Sequence, residues 1–249
     1  MSDLALFKGG LPAYLQGTDD ATNALAGTSD GGNLGARRIS IKGGVFREFI
    51  GGKEYRVSEE RSMNVVIIKA APKVSRTFYA GTYVEGETVS PTCWSSDSQR
   101  PDDKVKEKQS ATCLNCPQNI KGSGQGDSRA CRYQQRIAAV LDSAIDGDIL
   151  QLTLPATSIF GKADGDNRPL QEYARWLAAQ AINPEMVVTR MKFDTKSESP
   201  KLFFHAVRYL TDDEHAVALR QGETDDAKNA IKMTAGKAEP TVAAPAPAS

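Results

Sequence analysis

Histidine is scarce, long apolar runs are missing and the charges cancel: 249 residues carry two histidines and a formal net charge of zero. Each shortage removes a class of function. His205 and His215 form no His-Glu-x-x-His helix, and no glycine-rich loop ends in the lysine of a nucleotide cradle. "DGDN" at 164–167 resembles the start of a calcium loop but lacks its sixth-position glycine and twelfth-position glutamate. The reading is therefore of a protein that is not an enzyme. No apolar run approaches the ~20 residues of a membrane-spanning helix. At the N-terminus, Asp3 precedes a short apolar stretch that Gly9, Gly10 and Pro12 interrupt, which makes a poor secretory signal and points to a cytoplasmic protein.

The zero net charge hides an asymmetry. Between Ala36 and Ala80 stand ten basic and four acidic residues, whereas Asp212–Glu239 runs acidic. A basic body with an acidic tail suits a polyanionic ligand, although an ordinary solvated surface gives the same count.

Along the chain, residues 13–35 are rich in Gly, Ala, Thr, Asp and Asn without a period, and residues 1–35 read as a flexible N-terminal arm. "LALFKGGLPAYL" within it is too apolar for a pure linker and is a candidate for docking on a neighbouring copy. From residue 222 to 249 the composition is that of a disordered Ala/Pro/acidic tail. Between these ends the signals are mainly β with few helices. "RRISIKGGVFREFI" bends at Gly43-Gly44, Gly51-Gly52 turns a hairpin into "KEYRVS", and "MNVVIIKA" and "RTFYAGTYV" follow. "CRYQQRIAAVL", "DILQLTLP", "MVVTRMKFD" and "KLFFHAVRYL" complete the strands. Asn167 and Pro169 open an amphipathic helix, and Thr211–Glu214 forms the capping box of a last one. Short strands with Gly/Pro turns favour a barrel or sandwich.

All four cysteines fall in one polar stretch: Cys93, Cys113, Cys116 and Cys131. The Cys-x2-Cys knuckle brings two thiolates to one metal, and the outer pair can complete a tetrahedral, closed and therefore structural Zn2+ site. Disulfides fit a secreted chain better, and a thioredoxin-type pair needs a βαβ setting that is missing. An iron–sulfur cluster takes the same four thiolates, and spacing does not separate it from zinc. With so few apolar residues, the stretch needs a staple of some kind.

In "RTFYAGTYV", alternation puts Phe78, Ala80, Thr82 and Val84 on a core face. Tyr79 and Tyr83 fall on the opposite face, an open aromatic platform. Arg132, Gln134 and Arg136 likewise share a face. Cations beside stacking rings suit a single-stranded nucleic acid, though each tyrosine reads equally as core or rim. Lys42, Arg47 and Arg76 of the basic segment join the candidate contacts, and Trp94, Lys121 and Arg129 extend the path across the cysteine stretch.

"PTCWS", "CLNCPQN", "ACRYQQRIAAVL" and "LQLTLPATSIFG", and more loosely "PKLFFHAVRYL", resemble bacteriophage single-stranded DNA-binding proteins built on an OB-fold. The resemblance spans roughly Arg37 to Leu210, with the cysteine pattern its most specific part. It implies an α+β, mainly β, OB-fold-like barrel over residues 36–221 carrying a zinc-stapled insertion at 91–131. It also implies Cys93, Cys113, Cys116 and Cys131 as ligands of one structural Zn2+. The implied role is coating and protecting single strands during phage DNA replication or recombination, in the host cytoplasm. Self-association along DNA and replication proteins are its expected partners. The tail ends "PAPAS", not in the apolar tip by which bacterial counterparts recruit partners. A zinc-containing recombination or nuclease accessory factor and a virion structural protein are the alternatives.

Overall fold

The computed structural model describes residues 37–81 and 90–233, all of which lie in the compact unit from Ala36 to Ser249. The N-terminal arm, Tyr83 and the last residues of the tail lie outside the described residues.

The described residues are mainly β, a single curled half-barrel sheet with four α-helices. The strands are β1 (Arg37–Ser40), β2 (Phe46–Ile50), β3 (Lys53–Ser58), β4 (Ser62–Ala70) and β5 (Ser75–Phe78). They continue with β6 (Cys93–Ser95), β7 (Arg132–Leu141), β8 (Leu150–Pro155), β9 (Val187–Phe193) and β10 (Leu202–Tyr209). Their order across the sheet is β10-β9-β4-β7-β8-β1-β2-β3, with β5 joining β7 to β6 off this path. Among the described residues every strand pairing is antiparallel except β1 with β8. The β2–β3 hairpin turns on Gly51 and Gly52, both at positive φ (57° and 82°), which glycine adopts without a Cβ penalty.

Alternation along the strands sorts the side chains onto two faces. Ile39, Phe46, Ile137, Ala139, Leu152, Leu154, Met191 and Phe204 point into the main core, which a second layer closes from the helix side. The helices are α1 (Ala156–Ile159), α2 (Leu170–Ala178), α3 (Asp212–Glu223) and α4 (Asp225–Ile231). Tyr173 and Leu177 of α2 are buried four residues apart on one helical face, and Tyr173 hydrogen-bonds Thr189 at 2.8 Å. The helix begins after Pro169, two residues later than an Asn167 cap would place it.

The opposite face of the central strands carries its own core. Val66, Ile68, Ala138, Val140 and Val188 meet Ala218, Ala227 and Ala230 of α3 and α4. For residues 222–231 this corrects the expected disordered tail; the tail beyond residue 233 lies outside the described residues. Thr224 caps α4 by accepting from the Ala227 amide, and the small alanines let that helix lie flat on the sheet. Gly222 makes the approach possible, because a Cβ there would stand 2.7 Å from the Ile68 carbonyl oxygen. The Thr211–Glu214 capping box starts α3 as expected. No helix among the described residues is long and apolar enough to cross a membrane.

Candidate nucleic-acid interface and cysteine cluster

β5 is the hinge between the two candidate sites. It is short, ending at Phe78, and all four of its residues are buried. This corrects the expected open platform on "RTFYAGTYV": strand alternation stops before Tyr79. That residue is half-buried, with its hydroxyl enclosed and unpartnered. Burial raises its pKa, opposed by the nearby Arg136 charge.

The expected β7 contacts are also corrected in part. Gln134 and Arg136 are both 5 % exposed, Arg132 is half-buried, and Trp94 is 9 % exposed within a cluster with Phe78, Cys93 and Val105. Their pairing with β5 and β8 explains this: β7 is a central strand, with neighbours on both sides and α4 packed upon it. Desolvation lowers the Arg136 pKa. A side chain so enclosed cannot follow a phosphate chain as it stands. Lys121 is exposed and paired with Asp127 at 2.8 Å, and Arg129 is exposed as well.

Lys42 and Arg47 fall elsewhere, Arg47 on the outer face of β2 and Lys42 in the turn that joins β1 to β2. Arg38 pairs across the strands with Phe49, its guanidinium carbon 4.5 Å from the ring centroid, and Ser40 pairs with Arg47. Arg47 donates to the Lys42 carbonyl and pairs with Glu54 at 2.9 Å. Gln151 and Thr153 of β8 extend the same face, since Arg38 is opposite Gln151. Helix packing concentrates on β4, β7, β8 and β10, leaving this outer face of β1–β3 half-exposed. Arg38 and Phe49 were not among the residues singled out from sequence. The signal was available: Arg38, Ser40, Arg47 and Phe49 alternate with the apolar Ile39, Ile41 and Phe46, but the Gly43-Gly44 bend broke the run.

The four cysteines converge. Cys93 enters on β6, Cys131 immediately precedes β7, and the Cys113–Cys116 knuckle lies between; all four line one cavity of about 10 Å³ with Arg76, Phe78 and Trp94. None is in a disulfide. The knuckle is shaped by backbone: Asn119 donates from its side chain to the Cys113 carbonyl at 3.0 Å and from its amide to Cys116 at 2.9 Å. The Cys131 amide donates to Gln118, and the Cys113 amide to Gln99, both at 2.8 Å. Burial pushes the Cys131 thiol up to about 11 and raises Cys113, with the Arg76 charge opposing both. Among the described residues no three His, Cys, Asp or Glu side chains are drawn into a closed ligating group. The thiols are gathered around a shared space, not locked onto a point.

Arg76 tests whether a metal fits that space. It is 3 % exposed, it lies over the Tyr133 ring at 3.8 Å, and it hydrogen-bonds the Tyr133 hydroxyl. Its Nε and Nη1 are buried without partners. A buried guanidinium with orphaned donors is costly unless an anion faces it. Four thiolates around one divalent ion carry a net charge of −2 and would supply that anion. The donor set fits.

Comparison with family models, with curated proteins and with solved structures finds no match for this chain.

Proposed function

We propose that this is a non-enzymatic single-stranded DNA-binding protein on an OB-fold-like barrel, stapled by one zinc ion at Cys93, Cys113, Cys116 and Cys131. The observation that carries the reading is the half-exposed outer face of β1–β2, where Arg38 and Arg47 flank Phe49. Phe49 offers a base a stacking surface when the Arg38 guanidinium that lies over it turns to a phosphate, and Arg47, which pairs with Glu54, supplies a second cation on the same face. Two cations and a ring read no base edge, so the binding is largely independent of sequence. The resemblance to phage single-strand binders supports a role in replication or recombination.

Zinc supplies charge and cross-linking here, not reaction chemistry, because four protein ligands leave no open position. The four cysteines would hold the ion, and the buried Arg76 that lines the same cavity would offset its excess negative charge.

The reading is tested by titrating the protein with oligo-dT in magnesium. It predicts stoichiometric binding without strand cleavage, weakened in the Arg38→Gln/Arg47→Gln double variant. Cleavage that survives repurification would indicate the nuclease-accessory alternative, and no binding at low salt the structural-protein alternative.

A further inference from the structure

The β9–β10 ribbon carries a second pattern that the β1–β2 face does not explain. On its inner side Met191, Phe193, Leu202 and Phe204 are buried in the core. On its other side the cross-strand register sets Lys192 opposite Phe203 and Arg190 opposite His205. Both cations are exposed, and Phe203 and His205 are half-buried, the Nε2 of His205 being enclosed without a partner. Two successive antiparallel pairs thus each join a cation to a flat ring, with both rings on β10, one alternation step apart. Such spacing leaves neighbouring rings on one face within reach of a continuous ligand.

The surroundings reinforce the positive sign. Lys201 places its ammonium 4.5 Å from the Phe203 centroid while pairing with Asp194 at 2.9 Å. Arg168, beside β10 through its bridge to Phe204, lies over the Trp176 ring at 4.6 Å. Burial lowers the His205 pKa, Asp166 opposes it, and the charges of Lys192, Arg168 and Arg190 act in the same sense as burial. The row continues onto β4, where Asn64 accepts from Arg190 at 3.0 Å and Ser62 pairs with Lys192. Polar groups and cations therefore surround two half-buried rings on the side of the ribbon away from the main core. An ordinary edge ribbon needs charge for solubility, but it does not need rings on the solvent face.

Resting on the single-strand reading above, we propose that the outer face of β9–β10, with Arg190, Lys192, Phe203 and His205, is a second contact for the same DNA strand. Phe203 and His205 stack bases while Arg190 and Lys192 meet phosphates. A short oligonucleotide fills the β1–β2 face alone, and a longer one reaches both.

The test compares the wild-type chain, Arg38→Gln/Arg47→Gln and Arg190→Gln/Lys192→Gln on oligo-dT of about 8 and about 30 nucleotides across a salt series. Each lost phosphate contact flattens the slope of log K against log salt by about 0.7, so the β9 double variant should lose about 1.4 on the long probe. On the short probe it should match wild type. Photochemical cross-linking of the wild-type complex with halogenated oligo-dU should mark the peptide containing Phe203, and Phe203→Leu should abolish that adduct. It should also weaken long-probe binding about tenfold. If wild type binds and the β1 and β2 arginines matter, an unchanged slope in Arg190→Gln/Lys192→Gln with no adduct on β10 overturns this proposal alone. Absence of binding by wild type at low salt overturns both it and the reading on which it rests.

Discussion

The curled sheet and the cysteine-bearing stretch from Pro91 to Cys131 are held by different physics. The sheet buries Val65, Ile137, Leu154, Met191, Leu202 and Phe204 completely or nearly so, and its stability comes from removing apolar surface from water. The cysteine stretch contributes only Cys93, Trp94 and Val105 to a fully buried cluster besides the knuckle thiols. It is organised instead by short polar bonds. The Asp102 carboxylate accepts from the Ser96 amide at 2.8 Å and from its hydroxyl, and Asp97 accepts from Ser95 and Gln99. Such bonds contribute about 1 kcal/mol each, net of water. The lesson is that one part is held by an apolar core, while the other is held by short polar bonds around four gathered thiols.

Damage to the core should have the largest effect. Phe204 is fully buried and stacks on Tyr173 at 6.1 Å. Phe204→Ala should cost about 3–5 kcal/mol in a urea titration of the whole protein. A loss confined to one segment would contradict the picture of a single sheet core.

Breaking the staple should be more local. Cys116→Ser, or a strong chelator applied to wild type, should lower zinc content and raise amide exchange and proteolysis between Pro91 and Cys131, while the sheet amides stay protected. A metal-free wild type with two disulfides would remove the staple from the account.

Arg76 joins the two regions, since it sits on a sheet strand and faces the thiols. Arg76→Met should leave the sheet folded and speed zinc transfer to a chromophoric chelator. Metal-bound thiolates should also alkylate faster once the facing N–H donors are gone. Arg76→Lys should restore charge but not the fork, and so recover only part of the effect. Equal rates in all three proteins would remove Arg76 from the site.

The smallest effect belongs to the sheet surface. Arg208 bonds Glu214 at 2.7 Å and Asp142 at 2.6 Å, tying the start of α3 to β10 and to the residue after β7. The side-chain bond from Arg208, then the Thr211 amide, pulls the Glu214 carboxyl from 4.5 to about 2. A depressed carboxylate stabilises the fold above its unfolded value and loses that contribution as pH falls through the folded value. Wild type should therefore melt slightly above Glu214→Gln at neutral pH, and the gap should close between about pH 4.5 and 2. A gap that is constant with pH would mean that the charge plays no part.

The two regions also differed in how far they could be read from sequence. Apolar strand runs located β4, β7, β8, β9 and β10: β8 buries one side of a period-two pattern, whereas the central β4 and β7 are apolar on both faces and feed both cores. The four cysteines were legible as a group from spacing, and the structure draws them around one cavity. What misled was β5 and β7: the same alternation that put Arg132, Gln134 and Arg136 on a shared face does not say what covers that face. α4 covers the next part of it, and its short acidic sequence reads as part of the tail that ends in "AEPTVAAPAPAS". Arg38 and Phe49 became neighbours only through the β1–β2 register, across a glycine bend. The Lys192–Phe203 and Arg190–His205 pairs likewise exist only in the antiparallel register of two strands that read as core.

The central claim is that this protein holds single strands through phosphate charge and ring stacking. A salt-dependent binding titration with single- and double-stranded probes of equal length tests it most directly. The account predicts tight binding to the single strand, a steep fall of log K with log salt at about −0.7 per phosphate contacted, and much weaker binding to the duplex. Equal affinity for both probes, or single-strand affinity that does not change with salt, would contradict it.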